Sequence, residues 1–173
     1  MTGEAHRQGA ARVGQAAMGE RLGGFIYGTI VALAVVVAGA RAYPHAAGHI
    51  AILVGVTSVA LWVAHVYAHG LAKSVARDEH LSFAAVRHIA RREGSILEAA
   101  VPPIAALLLG ALGVISTQLA VWAAFGFGLV VLAAQGITVA RVEGLGRLGT
   151  LAVVAGNVSL GVLLVGLKLV LTH

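Results

Sequence analysis

The chain contains no cysteine, which excludes disulfides and thiolate metal sites. It is also short of charge. Asp, Glu, Lys and Arg supply 11% of the 173 residues, where soluble domains carry roughly 25%. Such a chain cannot cover its surface with polar groups, and its mean hydropathy of +0.92 makes lipid the implied solvent. Catalytic signatures are missing too. There is no P-loop, no Rossmann fingerprint and no HExxH. No Ser/His/Asp set stands at a credible spacing, so an enzyme is not expected. A lipid-handling enzyme would need a paired acid and base at headgroup level, and Glu98 with His69 is the one pair on offer. The sequence pI near 10.5 raises nucleic acid as a partner. The basic residues form no aromatic-interleaved patch, so no nucleic acid is expected.

What is present is a series of long apolar runs. About 20 apolar residues cross a bilayer as a helix, and five runs qualify: residues 22–40, 49–72, 95–115, 118–140 and 148–171. No strand alternation competes with them. The expected fold class is an all-α integral membrane protein with five transmembrane helices. Residues 1–21, polar and rich in Gly and Ala, read as a disordered cytoplasmic N-terminus. They lack the short apolar core and small-residue cleavage site of a signal peptide.

Orientation follows from Lys and Arg placement. With the N-terminus inside, Arg7, Arg12, Arg21, Lys73, Arg77, Arg87, Arg91, Arg92, Arg141 and Arg147 all face the cytoplasm. Only Arg41 and Lys168 stay outside. The expectation is N-in and C-out, multi-pass, in the cell inner (plasma) membrane of a bacterial-type cell.

Residues 73–94 form the sizeable cytoplasmic insert. Ser82 is placed to cap a short helix running to Arg92, and Gly94 to stop it. Val86, Ile89 and Ala90 give that helix an apolar stripe, and Arg87, Arg91 and Arg92 a basic side. It reads as an amphipathic helix on the membrane surface. A ligand-sensing role for Asp78, Glu79, His80 and His88 is the alternative. Ser95 and Glu98 have the spacing of a capping box that opens the third span. Pro102 and Pro103 then fall inside that helix and predict a kink. Gly19, Gly23, Gly24 and Gly28 bring small-xxx-small spacing to the first span, as Gly156, Gly161 and Gly166 punctuate the fifth. Small residues let helices approach closely in lipid. Packing within the bundle is the plain reading; a homodimer seam, at the first span, is the sharper one.

The segment Trp62-Val63-Ala64-His65-Val66-Tyr67-Ala68-His69 carries the densest chemistry. His65 and His69 share one helix face, and intramembrane ionisable groups are functional-site candidates. Once topology is assigned, Tyr27, His65, Tyr67, His69, Glu98, Gln135 and Asn157 lie in the cytoplasmic half or at its level, while the outer halves are almost purely apolar. Buried polar groups need partners, so a shared polar pocket facing the cytoplasm is expected, with Tyr27, Tyr67, Gln135 and Asn157 lining it. His65 and His69 are placed to bind a divalent transition metal through neutral imidazoles, with Glu98 adding a carboxylate. Polar packing, proton handling and a headgroup-level position are the alternatives. The indole N–H of Trp62, too deep for the aromatic belt, needs a partner.

Five spans with the sizeable insert between the second and third resemble the vacuolar iron transporter (VIT-like) family. Gly24-Phe25-Ile26-Tyr27-Gly28-Thr29-Ile30-Val31 also looks like that family's opening, which typically reads Gly-x-x-Asp-Gly; Tyr27 stands here at the acidic position. The family's insert is a longer, Glu-rich metal-binding bundle, whereas this one holds Asp78, Glu79 and Glu93. The resemblance implies a divergent transporter of a divalent metal or proton-coupled cation, using His65 and His69 in place of the missing carboxylate. The alternative is a non-transporting structural or accessory subunit of a membrane complex. A homodimer or another membrane protein is the expected partner.

Overall fold

The computed structural model describes residues 2–77 and 82–171. They form six α-helices and no strand: α1 (Thr2–Ala42), α2 (Ala47–Arg77), α3 (Phe83–Arg92), α4 (Ser95–Ala111), α5 (Thr117–Val142) and α6 (Arg147–Leu171). Four are long and apolar enough to cross a membrane, and five spans result if α3 and α4, bent by 44° at their two-residue break, count as one. Asp78, Glu79 and His80, considered above as ligand sensors, lie outside the described residues.

The apolar runs expected as the first, second, fourth and fifth spans fall inside α1, α2, α5 and α6. The third differs. Its helix ends at Ala111, four residues before the expected limit, because Gly113 adopts φ 74°. The Val114 N–H then bonds to the Leu109 carbonyl, a Schellman stop that glycine makes without the Cβ penalty of left-handed backbone. Gly144, at φ 65°, ends α5 in the same way, with the Leu145 N–H on the Ala140 carbonyl. The 17 residues of α4 reach only about 26 Å at 1.5 Å per residue. Pro102 and Pro103 lie within this helix, and a separate 44° bend divides it from α3 at residues 93–94.

Two further segments differ from the expectation. Residues 2–21 continue the first span as one helix of 41 residues. Ala, Glu, Arg and Gln in this stretch favour helix, and the span that follows removes the cost of nucleation. Ser95 and Glu98 do not form a capping box. Gly94 occupies the cap position in helical conformation, and the carbonyls of Glu93 and Gly94 take the N–H groups of Ile96, Leu97 and Glu98. The near-continuity of α3 and α4 leaves Ser95 no donor to cap. Its buried hydroxyl has no partner, and Glu98 turns to Arg21.

The core lies where α1, α2, α4 and α5 meet, around Leu33, Val36, Ile50, Val54, Leu107 and Phe125. α6 packs on α5 and α1 and stays mostly uncovered. The outside is apolar as well, with Ile52, Val56, Val101, Leu112 and Leu163 all exposed. In lipid such faces cost nothing, so helix association relies on close van der Waals fit. Glycine supplies it. A Cβ at Gly28 would stand 2.9 Å from the Ile96 carbonyl oxygen and 3.0 Å from its Cα. One at Gly136 would stand 2.9 Å from the Cα of Val154. Gly24 and Gly28, offered above as a dimer seam, are therefore occupied by α4 of the same chain, while Gly19 and Gly23 face open space.

Candidate functional site at the charged end

The helices gather ionisable side chains at one end of the bundle. α1 brings Glu20, Arg21 and Tyr27; α2 brings His65 and His69; α3 brings Arg92, followed by Glu93; α4 brings Glu98. Arg21 donates to both carboxylate oxygens of Glu98 at 3.1 Å. Arg92 pairs with Glu20 at 3.4 Å, and His69 Nδ1 lies 3.2 Å from Glu93 Oε1. The two arginine pairs are largely exposed, where each ion pair is worth roughly 0–1 kcal/mol. Glu93 is better shielded, its side chain only 17% exposed.

A string of side chains leads from this end into the span. The rings of Tyr27 and His65 are 5.5 Å apart, and those of His65 and His69 6.3 Å. His65 Nδ1 is 3.1 Å from the Leu61 carbonyl, and His69 Nδ1 is 3.2 Å from the His65 carbonyl. A carbonyl only accepts, so each Nδ1 carries the proton. In the neutral ring the Nε2 lone pair is then left free. Helical spacing dictates this arrangement, because an imidazole four residues on folds back over the preceding turn.

The expected metal trio is not assembled. Glu98 is held by Arg21, His69 by Glu93. Among the described residues no three His, Asp or Glu side chains are grouped to hold an ion. Glu98 and His69 likewise take different partners, Arg21 and Glu93.

The expected polar pocket is assembled in part. Tyr27 does meet His65. Tyr67, 71% exposed, instead lines an apolar groove of about 390 Å³ between α2 and α3. Asn157 reaches from α6 to the Leu132 carbonyl of α5 at 3.5 Å. The Oε1 of Gln135 is buried without a partner. Both belong to the packing of α5 with its neighbours and not to the histidine string. The cavity at the charged end, also about 390 Å³, is lined by Glu20, Arg21, His88, Arg91, Arg92 and Glu93. Sequence reasoning missed Arg21 and Glu20 as members of this site. Their partners lie 72 and 77 residues away along the chain, and no local pattern joins them.

Two local expectations hold. The Ser82 hydroxyl accepts from the Ala85 N–H at 3.2 Å and caps α3. The Trp62 indole N–H donates to the Ala90 carbonyl at 2.9 Å and fastens α3 to α2.

Fold and site together define an all-helical chain with a membrane-spanning composition and one charged end. No family model, no curated protein and no solved structure matches it.

Proposed function

We propose that this is a five-span protein of the inner membrane, N-terminus in and C-terminus out, that handles protons or a proton-coupled small cation at its cytoplasmic face. The observation that carries this reading is the string Tyr27, His65, His69, Glu93, which runs from the first span through the second to the charged end. Histidine is the side chain whose charge changes between pH 5 and 8, and such groups inside a span mark ion and proton paths. The positive-inside rule supports the orientation, because the charged end carries the basic excess. α4 supplies the third span, and α3, bent from it by 44°, lies along the cytoplasmic surface. The resemblance to vacuolar iron transporters agrees with a transport role. The proton-coupled version is preferred to a metal path because no group of three His, Asp or Glu side chains forms among the described residues.

The test is a flux assay with the purified chain in liposomes loaded with a pH-sensitive dye. An imposed pH gradient should decay faster than in protein-free vesicles, and His65→Ala/His69→Ala should return the rate to that of empty vesicles. Equal rates for wild type and double variant would sink the proposal. Zinc, iron and manganese belong in the same assay.

A second reading, an accessory subunit packed against another membrane protein, is favoured by α6. Leu148, Leu151 and Leu163 are exposed along it, and nothing lies within 4 Å of a Cβ placed at Gly156. Native mass spectrometry of the chain extracted from its own membrane separates the two readings: a stoichiometric protein partner favours the second.

A further inference from the structure

The groove between α2 and α3 is unlike the rest of the charged end. Its walls are Trp62, Val63, Val66 and Tyr67 from α2 and Val86 and Ala90 from α3. They are almost wholly apolar, yet they stand at the level where the charges gather. At about 390 Å³ the groove falls within the roughly 300–1,000 Å³ of small-ligand sites. It is held open by a fixed strut, the 2.9 Å hydrogen bond from Trp62 to the Ala90 carbonyl.

The face of α3 next to its groove-lining residues is basic. Arg87 follows Val86 and stands one turn after Phe83, which is 83% exposed; Arg91 follows Ala90. Residues three and four apart on a helix are neighbours, so Phe83, Arg87 and Arg91 form one ridge of α3 next to its groove-lining Val86 and Ala90, with Arg91 reaching the charged-end cavity as well. Arg21 and Arg92 are engaged by Glu98 and Glu20. Arg87 and Arg91 have no acidic partner among the described residues. Apolar walls beside guanidinium groups that have no acidic partner among the described residues match one molecule: a lipid with hydrocarbon tails and an anionic phosphate.

We propose that this groove holds an anionic phospholipid, an acyl chain lying between Trp62 and Val86 and its phosphate received by Arg87 and Arg91. Guanidinium forks suit phosphate oxygens. The bound lipid would fasten α3 to the membrane surface beside the His69–Glu93 pair, so lipid charge would bear on the cytoplasmic end of the string. The proposal rests on the spanning topology above and not on transport.

Trp62 is a built-in reporter. With Trp122→Phe as background, it is the single tryptophan. The chain is reconstituted in phosphatidylcholine vesicles in which the brominated-chain lipid is either phosphatidylglycerol or phosphatidylcholine, at equal bromine content. Brominated phosphatidylglycerol should quench Trp62 more strongly. Arg87→Gln/Arg91→Gln should abolish the preference, with each arginine worth about fivefold in relative lipid affinity. Equal quenching by the two lipids, or a preference that survives the double substitution, would overturn the proposal. So would absence of quenching by either lipid, which would mean that protein covers the groove. The reciprocal chain, Trp62→Phe with Trp122 retained, reports membrane embedding separately. Its quenching by both lipids shows that the spans are in the bilayer whatever the groove does.

Discussion

The two ends of the bundle are built on different terms. At the end where α1 meets α2 and α4 meets α5, the chain turns within four or five residues. Local devices suffice there: the left-handed Gly113, and the Ser116 hydroxyl accepting from the Leu119 N–H at 3.2 Å. At the charged end, helices run past one another and are tied by side chains far apart in sequence. Arg21 meets Glu98, Arg92 meets Glu20, and Trp62 meets the backbone of α3. Local turns fix where a helix stops. Long-range polar ties hold elements that lipid alone would not order, and the titratable groups lie among them.

Substitutions can sharpen this contrast. The largest effect is expected at Gly28, where any Cβ meets the backbone of Ile96. Gly28→Val should destabilise the fold by about 1–3 kcal/mol through overpacking. Gly23→Ala, with open space around it, should be neutral or stabilise by up to about 1 kcal/mol through helix propensity. Unfolding in mixed detergent micelles measures both.

Two serines then compare the ends directly. Ser116→Ala removes a working cap and should cost about 1 kcal/mol. Ser95→Ala removes a buried hydroxyl that has no partner, so stability should rise or stay level. A loss of about 0.5–2 kcal/mol at Ser95 would mean that it caps after all.

Trp62→Phe deletes the tie from α2 to α3 and should cost about 1 kcal/mol. Faster proteolysis within residues 78–92 would register it. The smallest effect is expected at Glu20, 67% exposed on its side chain. Glu20→Gln should change stability by less than about 0.5 kcal/mol, and less still at high salt.

The same contrast explains what was legible in the sequence. Hydropathy located four spans within a few residues, because lipid selects runs of apolar residues regardless of tertiary detail. The Ser82 cap was legible because capping is local. The Ser95 motif looked identical but sits in a helix that barely breaks, so neighbouring carbonyls had already taken the donors. Depth alone put Tyr27 and His65 at one level, and their rings meet. Their fellow candidates did not join because rotation about the helix axis, which a hydropathy profile does not carry, turned Tyr67 to the groove and left Gln135 in the packing of α5. The metal trio failed for a related reason. Glu98 was expected level with the histidines, but its carboxylate pairs with Arg21.

The central claim is that the charged end faces the cytoplasm and that α4 crosses the membrane once, with α3 at the surface. The cysteine-free chain allows a direct test with Pro44→Cys, Lys73→Cys and Val114→Cys, all exposed positions. In intact cells a membrane-impermeant maleimide should label positions 44 and 114 but reach position 73 only after permeabilisation. Labelling of position 73 in intact cells would reverse the orientation. Protection of position 114 while 44 is labelled would make α3–α4 a re-entrant loop and contradict the five-span account.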